Sequence, residues 1–147
     1  MTSWVVADSG IFIATVLEET FSQQADALIS RWSTQDVQIA APILFRYEVT
    51  SVMRKSVYRN LLTPKEAIQK RDILLAQPIR LMIDIDLLKR GYDLATQYNR
   101  PAAYDAQYLA VAERLGCEFW TTDERLYNAT QPNLNWVKWI GNFTTQS

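Results

Sequence analysis

Three features of the sequence predict an α/β domain with a mostly parallel central sheet flanked by helices on both faces, a three-layer architecture. Short β-branched or aromatic runs alternate with longer segments of helical period. Asp8 and Asp123 each follow directly on such a run, as residues at the carboxyl edge of a parallel sheet do. The length, 147 residues, fits a single domain over residues 1–147 with a sizeable core.

Trp4 to Ala7 reads as a buried strand, stopped by Asp8-Ser9-Gly10, which combines turn residues with a helix N-cap. A short helix is expected over Ile11 to Leu17. A second, over Thr20 to Ser33, places Phe21, Ala25, Leu28, Ile29 and Trp32 at helical spacing. Val37 to Ala40 is the next strand. Pro42 suits a helix start, and that helix runs to Tyr58. Thr63-Pro64 opens another as N-cap and first position, ending near Ala76. Ile79 to Ile83 is a strand. Asp86 is expected to cap the next helix, with Leu88, Tyr92 and Ala95 as its inner stripe. A further helix from Ala103 carries Tyr104, Tyr108, Val111 and Leu115 on one stripe and stops at Gly116. Glu118 to Thr121 is a strand, Asp123 caps a short helix, and Trp136 to Ile140 is the last strand. The polar tail from Asn142 is expected to fray, at least over its final five or so residues.

Composition removes whole classes of chemistry. The chain has no histidine, which excludes Ser-His-Asp and Cys-His catalysis and every zinc site that needs imidazole. Its one cysteine, Cys117, can form neither an internal disulfide nor a thiolate cage. Any catalysis must come from carboxylates, hydroxyls, Lys or Arg. No apolar run approaches the roughly 18 residues of a membrane span, and the N-terminal residues carry no basic region of a secretory signal. The cytoplasm is the expected location.

Charge is uneven. Residues 1–44 hold one basic and five acidic side chains, residues 45–71 seven basic and two acidic, residues 72–147 seven and nine. The basic middle is either a solvated helix pair or a phosphate-facing flank. Among the acids, Asp8, Asp105 and Asp123 each have a local reading as caps or first-turn anions. Glu48 does not. Its helical neighbours are Leu44, Phe45, Ser51 and Val52, and a glutamate on an apolar stripe costs desolvation unless it is paired or binds a metal.

Four stretches now combine: Val5-Val6-Ala7-Asp8-Ser9, Pro42-Ile43-Leu44-Phe45-Arg46-Tyr47-Glu48-Val49, Tyr104-Asp105-Ala106-Gln107-Tyr108-Leu109-Ala110-Val111-Ala112, and Phe119-Trp120-Thr121-Thr122-Asp123-Glu124-Arg125-Leu126. In this order and spacing the chain resembles the PIN-domain nucleases, most closely the compact VapC-type toxins of bacterial toxin–antitoxin systems. The resemblance implies a PIN-like fold in which Asp8, Glu48, Asp105 and Asp123 gather at one sheet edge, with hydroxyls from Ser9 and from Thr121 or Thr122 in support. Two carboxylates about 5 Å apart repel by roughly 3 kcal/mol at an effective dielectric near 20, so a cation is the natural compensation. Oxygen ligands select hard ions, so Mg²⁺ or Mn²⁺ is the expected cofactor. The expected reaction is hydrolysis of RNA phosphodiester bonds, with Asp8 and Asp105 as the most direct metal ligands and Glu48 and Asp123 completing the shell. Arg46, Arg54, Lys55 and Arg59 are candidates for holding the RNA backbone.

The resemblance also implies a small antitoxin partner and a homodimer. An apolar groove for the antitoxin can be drawn from Phe12, Ile13, Val16 and Leu17 with Val49, Val52 and Met53, although these residues read equally well as core. Other readings are a nuclease of RNA processing outside any toxin–antitoxin pair, or a weakly active binding module. Receiver domains and haloacid-dehalogenase-like phosphatases need further carboxylates beside the first strand, and Asp8-Ser9-Gly10 supplies none.

Overall fold

The structure, a computed structural model, describes residues 2–145. Five strands form one sheet: β1 (Ser3–Ala7), β2 (Val37–Pro42), β3 (Ile79–Met82), β4 (Glu118–Thr121) and β5 (Val137–Trp139), in the order β3-β2-β1-β4-β5. Every pairing is parallel. The helices are α1 (Ser9–Val16), α2 (Ser22–Thr34), α3 (Leu44–Tyr58), α4 (Pro64–Leu75), α5 (Ile85–Gln97), α6 (Tyr104–Leu115) and α7 (Glu124–Thr130). The three-layer α/β architecture is the one expected.

The connections explain where a ligand can sit. From β1 the sheet grows through β2 to β3, and the chain then crosses to the other side of β1 to add β4 and β5. Parallel crossovers are right-handed, so that reversal places α5 and α6 on the face opposite α1 to α4. Helix α6 packs on β1, β2 and β4, while α1 packs on α2, α3 and α4. The carboxyl ends of β1 and β4 therefore flank the switch point, where open α/β sheets bind ligands.

Burial follows. Val5, Val6 and Ala7 of β1 and Phe119 of β4 are almost wholly buried, as central parallel strands covered on both faces must be. Tyr108 of α6 stacks on Phe119 at 5.8 Å between ring centroids, and Phe12 of α1 meets Phe45 of α3 edge-on at 5.3 Å. Thr63 caps α4 in a full capping box with Glu66. Gly116 ends α6 at φ 62°, the left-handed conformation that favours glycine.

Several expectations need correction. Pro42 closes β2 rather than opening α3: it pairs opposite Met82, the Ile43 N–H donates to the Met82 carbonyl, and the helix starts at Leu44. The cap of α5 is Asp84, whose carboxylate accepts from the Leu87 N–H at 2.9 Å, and Asp86 lies in the first turn. The buried face of α5 is accordingly Leu87, Gly91, Leu94 and Ala95, and Leu88 and Tyr92 point outward at 55% and 67% exposure. On α6, Tyr108 and Val111 are buried but Tyr104 is 65% exposed. Of the drawn apolar groove, Phe12, Ile13, Val49 and Met53 are core. The first tail residues, Asn142 and Phe143, are placed against the body of the fold. A 3₁₀ turn spans Ile140–Asn142, Phe143 packs edge-on against Trp120, and the Arg31 guanidinium lies 4.7 Å from its ring centre. Gln146 and Ser147 lie outside the described residues. Trp120 and Trp139 belong to this aromatic edge, Trp139 meeting Phe21 and Tyr127.

Candidate active site

The end of β1 delivers Asp8 to the switch point. Its backbone N–H is held by the Trp120 carbonyl of β4 at 3.1 Å. One carboxylate oxygen caps α1 by accepting from the Ile11 N–H at 3.2 Å. The other accepts from the Thr121 hydroxyl at 2.5 Å and the Thr122 N–H at 3.2 Å. Gly10 makes this approach of β4 to α1 possible, because a Cβ there would stand 2.3 Å from the Thr122 hydroxyl oxygen. Thr121, fully buried, also accepts from the Asp123 N–H at 2.9 Å. One hydroxyl thus ties the ends of both strands together. Asp123 itself caps α7, accepting from the Arg125 and Leu126 N–H groups at 2.9 and 3.2 Å.

Glu48 enters one turn into α3 and is half-buried. The Tyr108 hydroxyl donates to it at 2.5 Å, and Ser9 bonds the same side chain. This is the partner that helical spacing alone did not provide. Asp105 sits half-buried in the first turn of α6, one turn before Tyr108.

Electrostatics link the four acids in sequence. Burial pushes Asp8 up to about 7, against the opposing pull of its three hydrogen bonds, and Glu48 adds repulsion. Burial also raises Glu48, with repulsion from Asp105 adding to it while Tyr108 and Ser9 act in the other direction. Asp105 is raised by burial and by Asp123, and lowered by Arg100. Tyr108 is driven upward by burial and by Glu48, so its hydroxyl stays protonated and donating. Among the described residues the ion pairs are Arg71–Asp72, Arg90–Glu113 and Arg114–Asp84, none at these four acids.

The donor set suits a hard divalent cation. Its side-chain donors are all oxygens, and positive charge would relieve the repulsion between neighbouring acids. Among the described residues no three acidic side chains are placed to hold one ion. A pair of these carboxylates could still hold Mg²⁺, an ion that keeps several waters in its shell.

The other residues singled out from sequence fall as follows. Ser9 is buried against Glu48 and Tyr108. Arg46, Arg54, Lys55 and Arg59 are exposed along or just past α3 and outside the ion pairs above. Arg46 lies within a turn of Glu48, whereas Arg54 starts about 9 Å farther along the axis. Sequence reasoning missed the bond of Tyr108 to Glu48 and the charge of Arg100 acting on Asp105. Tyr108 had been placed with the core, yet a buried tyrosine hydroxyl needs a partner, and its position three residues after Asp105 was the available signal.

Comparison with known proteins agrees with this fold. Ribonuclease VapC3 of Pyrobaculum aerophilum is 28% identical over 124 residues, 83% of this chain and 91% of that protein. Among solved structures, PAE2754 from Pyrobaculum aerophilum superposes with a TM-score of 0.68 at 19% identity, covering 96% of this chain and 93% of that one. VapC20 of Mycobacterium tuberculosis, described as a sarcin-ricin loop cleaving toxin, gives 0.64 at 14% identity over 85% and 94%. FitAcB from Neisseria gonorrhoeae gives 0.59 at 13% identity over 95% and 99%. The PIN domain family matches residues 5–131, a span that contains all four acids. This chain belongs to the PIN domain family.

Proposed function

We propose that this protein is a Mg²⁺- or Mn²⁺-dependent endoribonuclease and the toxin of a toxin–antitoxin pair. The observation that carries the reading is Asp8 beside Glu48 at the switch point, both driven toward protonation by burial and neither paired with Lys or Arg. A fold that needed only stability would pair or remove such groups. The likeness to a protein named a ribonuclease supports RNA as substrate, and the VapC relatives support the toxin role.

Asp8 and Asp105 are the residues we assign as direct ligands, with Glu48 and Asp123 completing the site. When bound, the cation lowers the pKa of a water and neutralises charge building on the phosphate. Thr121 fixes Asp8 in one orientation from the buried side. Glu48, raised above the ordinary carboxylate range, is the base best suited to take a proton from the attacking water. Tyr108 holds that base in place. Arg46, Arg54, Lys55 and Arg59 hold RNA phosphates without selecting sequence. In-line attack by water leaves a 5′-phosphate and does not need the ribose 2′-hydroxyl.

A small antitoxin protein and a second copy of the chain are the proposed protein partners. The exposed apolar residues Ile85, Leu88 and Tyr92 share one face of α5 by helical spacing, and an exposed apolar stripe of this kind supports self-association.

The test is cleavage of total cellular RNA with mapped 5′ ends, wild type beside Asp8→Asn, with Mg²⁺ and with a chelator. Cuts bearing 5′-phosphate are expected only from wild type with Mg²⁺. Equal cleavage by Asp8→Asn, or by wild type in chelator, overturns the assignment.

A further inference from the structure

The loop between α5 and α6 holds an arginine in a conspicuous setting. Helix α5 ends in a Schellman motif: Asn99 takes φ 51°, its N–H donates to the Thr96 carbonyl at 3.2 Å, and the Arg100 N–H donates to the Ala95 carbonyl at 2.7 Å. Pro101 follows and restricts Arg100 further. The backbone of Arg100 is thus pinned on both sides, five residues before Asp105.

Its side chain is not satisfied. The Arg100 Nε is buried and has no hydrogen-bond partner. Five other arginines are engaged, Arg71, Arg90 and Arg114 with carboxylates and Arg31 and Arg80 over the rings of Phe143 and Trp4, while Arg46, Arg54, Arg59 and Arg125 are exposed to water. Arg100 is close enough for its charge to act on Asp105, yet it forms no ion pair with it. A guanidinium beside a carboxylate ordinarily closes a two-pronged pair. Here, among the described residues, neither the buried Nε nor the two terminal nitrogens of Arg100 make a hydrogen bond or ion pair, in the loop that leads into the Asp105 end of α6.

We infer that Arg100 grips the scissile phosphate, binding a non-bridging oxygen and stabilising the charge that builds there as the bond breaks. The inference rests on the nuclease reading above and adds a catalytic residue to it. In that reaction the oxygen of water forms the new bond to phosphorus, the bond to the 3′-oxygen breaks, the water proton goes to the base, and the leaving oxygen takes a proton from solvent. Arg100 takes no part in the proton transfers and supplies charge only. An incoming phosphate meets several carboxylates at this edge, so it needs a fixed cation there. Arg46, Arg54 and Lys55 of α3 and Arg59 just past it sit in water and hold the strand from outside. Arg100 is half-buried, with the planar fork that matches phosphate geometry.

The test uses the full chain and an RNA with a mapped cut site. Arg100→Ala is expected to lower kcat about 100-fold, in line with loss of one donor to a developing oxyanion, while KM changes by less than about threefold. Added guanidinium ion, below denaturing concentration, should restore part of that loss in Arg100→Ala and none in Asp8→Asn. Arg100→Lys should fall between wild type and Arg100→Ala. The Mg²⁺ concentration for half-maximal rate should stay or fall in Arg100→Ala, because Asp105 loses a competing cation. Unchanged kcat in Arg100→Ala overturns the inference. So does an equal loss in Arg100→Lys and Arg100→Ala with a lowered melting temperature and no guanidinium response, which marks a structural role. Wild type that cuts no RNA overturns the nuclease reading, and this inference with it.

Discussion

Two groups of carboxylates in this molecule have opposite environments. At the α5–α6 junction, Asp84 is lowered to about 2 by its bond to Arg114, and Glu113 is lowered by Arg90, which grips it at 2.6 and 2.9 Å. At the switch point, Asp8, Glu48 and Asp105 are all raised, burial being the main cause and repulsion from another acid adding to it in each case, with Arg100 opposing it at Asp105 alone. The first group is what surface acids do in any stable fold. The second opposes stability, and its persistence at the carboxyl ends of β1 and β4 is the physical signature of a site.

The largest effect that can break this contrast is on catalysis. Asp8→Asn is expected to reduce the RNA cleavage rate by about 1,000-fold or more, the scale of losing a core catalytic group. Asp84→Asn keeps an N-capping side chain for α5 and should leave the rate within about twofold, since most surface changes have small effects. Steady-state cleavage of one defined RNA by both variants decides the matter, and comparable losses would erase the distinction between the two groups.

Stability against pH is the next lever, with opposite signs for the two regions. Asp8 is raised from 3.8 to about 7, so the folded state binds its proton more tightly than the unfolded chain. In the metal-free protein that contribution is full below about 4 and is lost as pH rises through about 7, amounting to at most about 4 kcal/mol. Asp84 is lowered, so its contribution is present above 3.8 and lost as pH falls through about 2. Melting temperature measured between pH 4 and 8 should therefore fall toward neutral pH more steeply in wild type than in Asp8→Asn. Mg²⁺ should stabilise chiefly above pH 7, where the proton no longer competes, by about 2.7 kcal/mol at a hundredfold excess over Kd. A Mg²⁺ shift of the same size at pH 5 and pH 8 would show that the ion binds elsewhere.

The sheet edge was legible in the sequence because strand-then-aspartate is a local pattern: Asp8 and Asp123 stand at the caps of α1 and α7. Glu48 was legible through its cost, a charge on an apolar stripe. What could not be read was who meets whom across the chain. Tyr108 reaches Glu48 over 60 residues of separation, and Thr121 reaches Asp8 over 113, and helical or strand periodicity says nothing about such pairs. The α5 register failed for a related reason. Asp84 and Asp86 are both adequate caps, and the choice between them rotates the buried face from Leu88 and Tyr92 to Leu87 and Gly91. Packing against α6 makes that choice.

A smaller effect probes how the raised acids are tolerated. Tyr108→Phe removes the hydroxyl donated to Glu48 and leaves a half-buried carboxylate short of a donor. The expected cost is about 1–2 kcal/mol in the metal-free protein. Loss of the donor raises the proton affinity of Glu48 further, but the unheld carboxylate no longer faces the attacking water, and kcat should fall roughly tenfold at saturating Mg²⁺, within the range set by single acid–base contributions. Denaturant unfolding and steady-state cleavage read the two quantities separately. A loss of stability with unchanged kcat would restrict Tyr108 to packing against Phe119.

The smallest effect belongs to the paired region. Arg90→Ala dissolves the two-pronged contact with Glu113, both partners being more than one-third exposed. Water re-solvates Glu113, and the ordered side chains regain rotamer freedom, so the loss should stay under about 1 kcal/mol. The same variant should cleave RNA at the wild-type rate, because α5 and α6 remain joined by Leu87, Leu94 and Ala95 and the Asp105 end of α6 is untouched. Raising the salt concentration should shrink even this small difference, as screening does for exposed pairs. If instead Arg90→Ala costs as much stability as Tyr108→Phe, the α5–α6 junction depends on its ion pair in a way that exposure alone does not convey, and the division between paired surface acids and unpaired site acids loses its energetic basis.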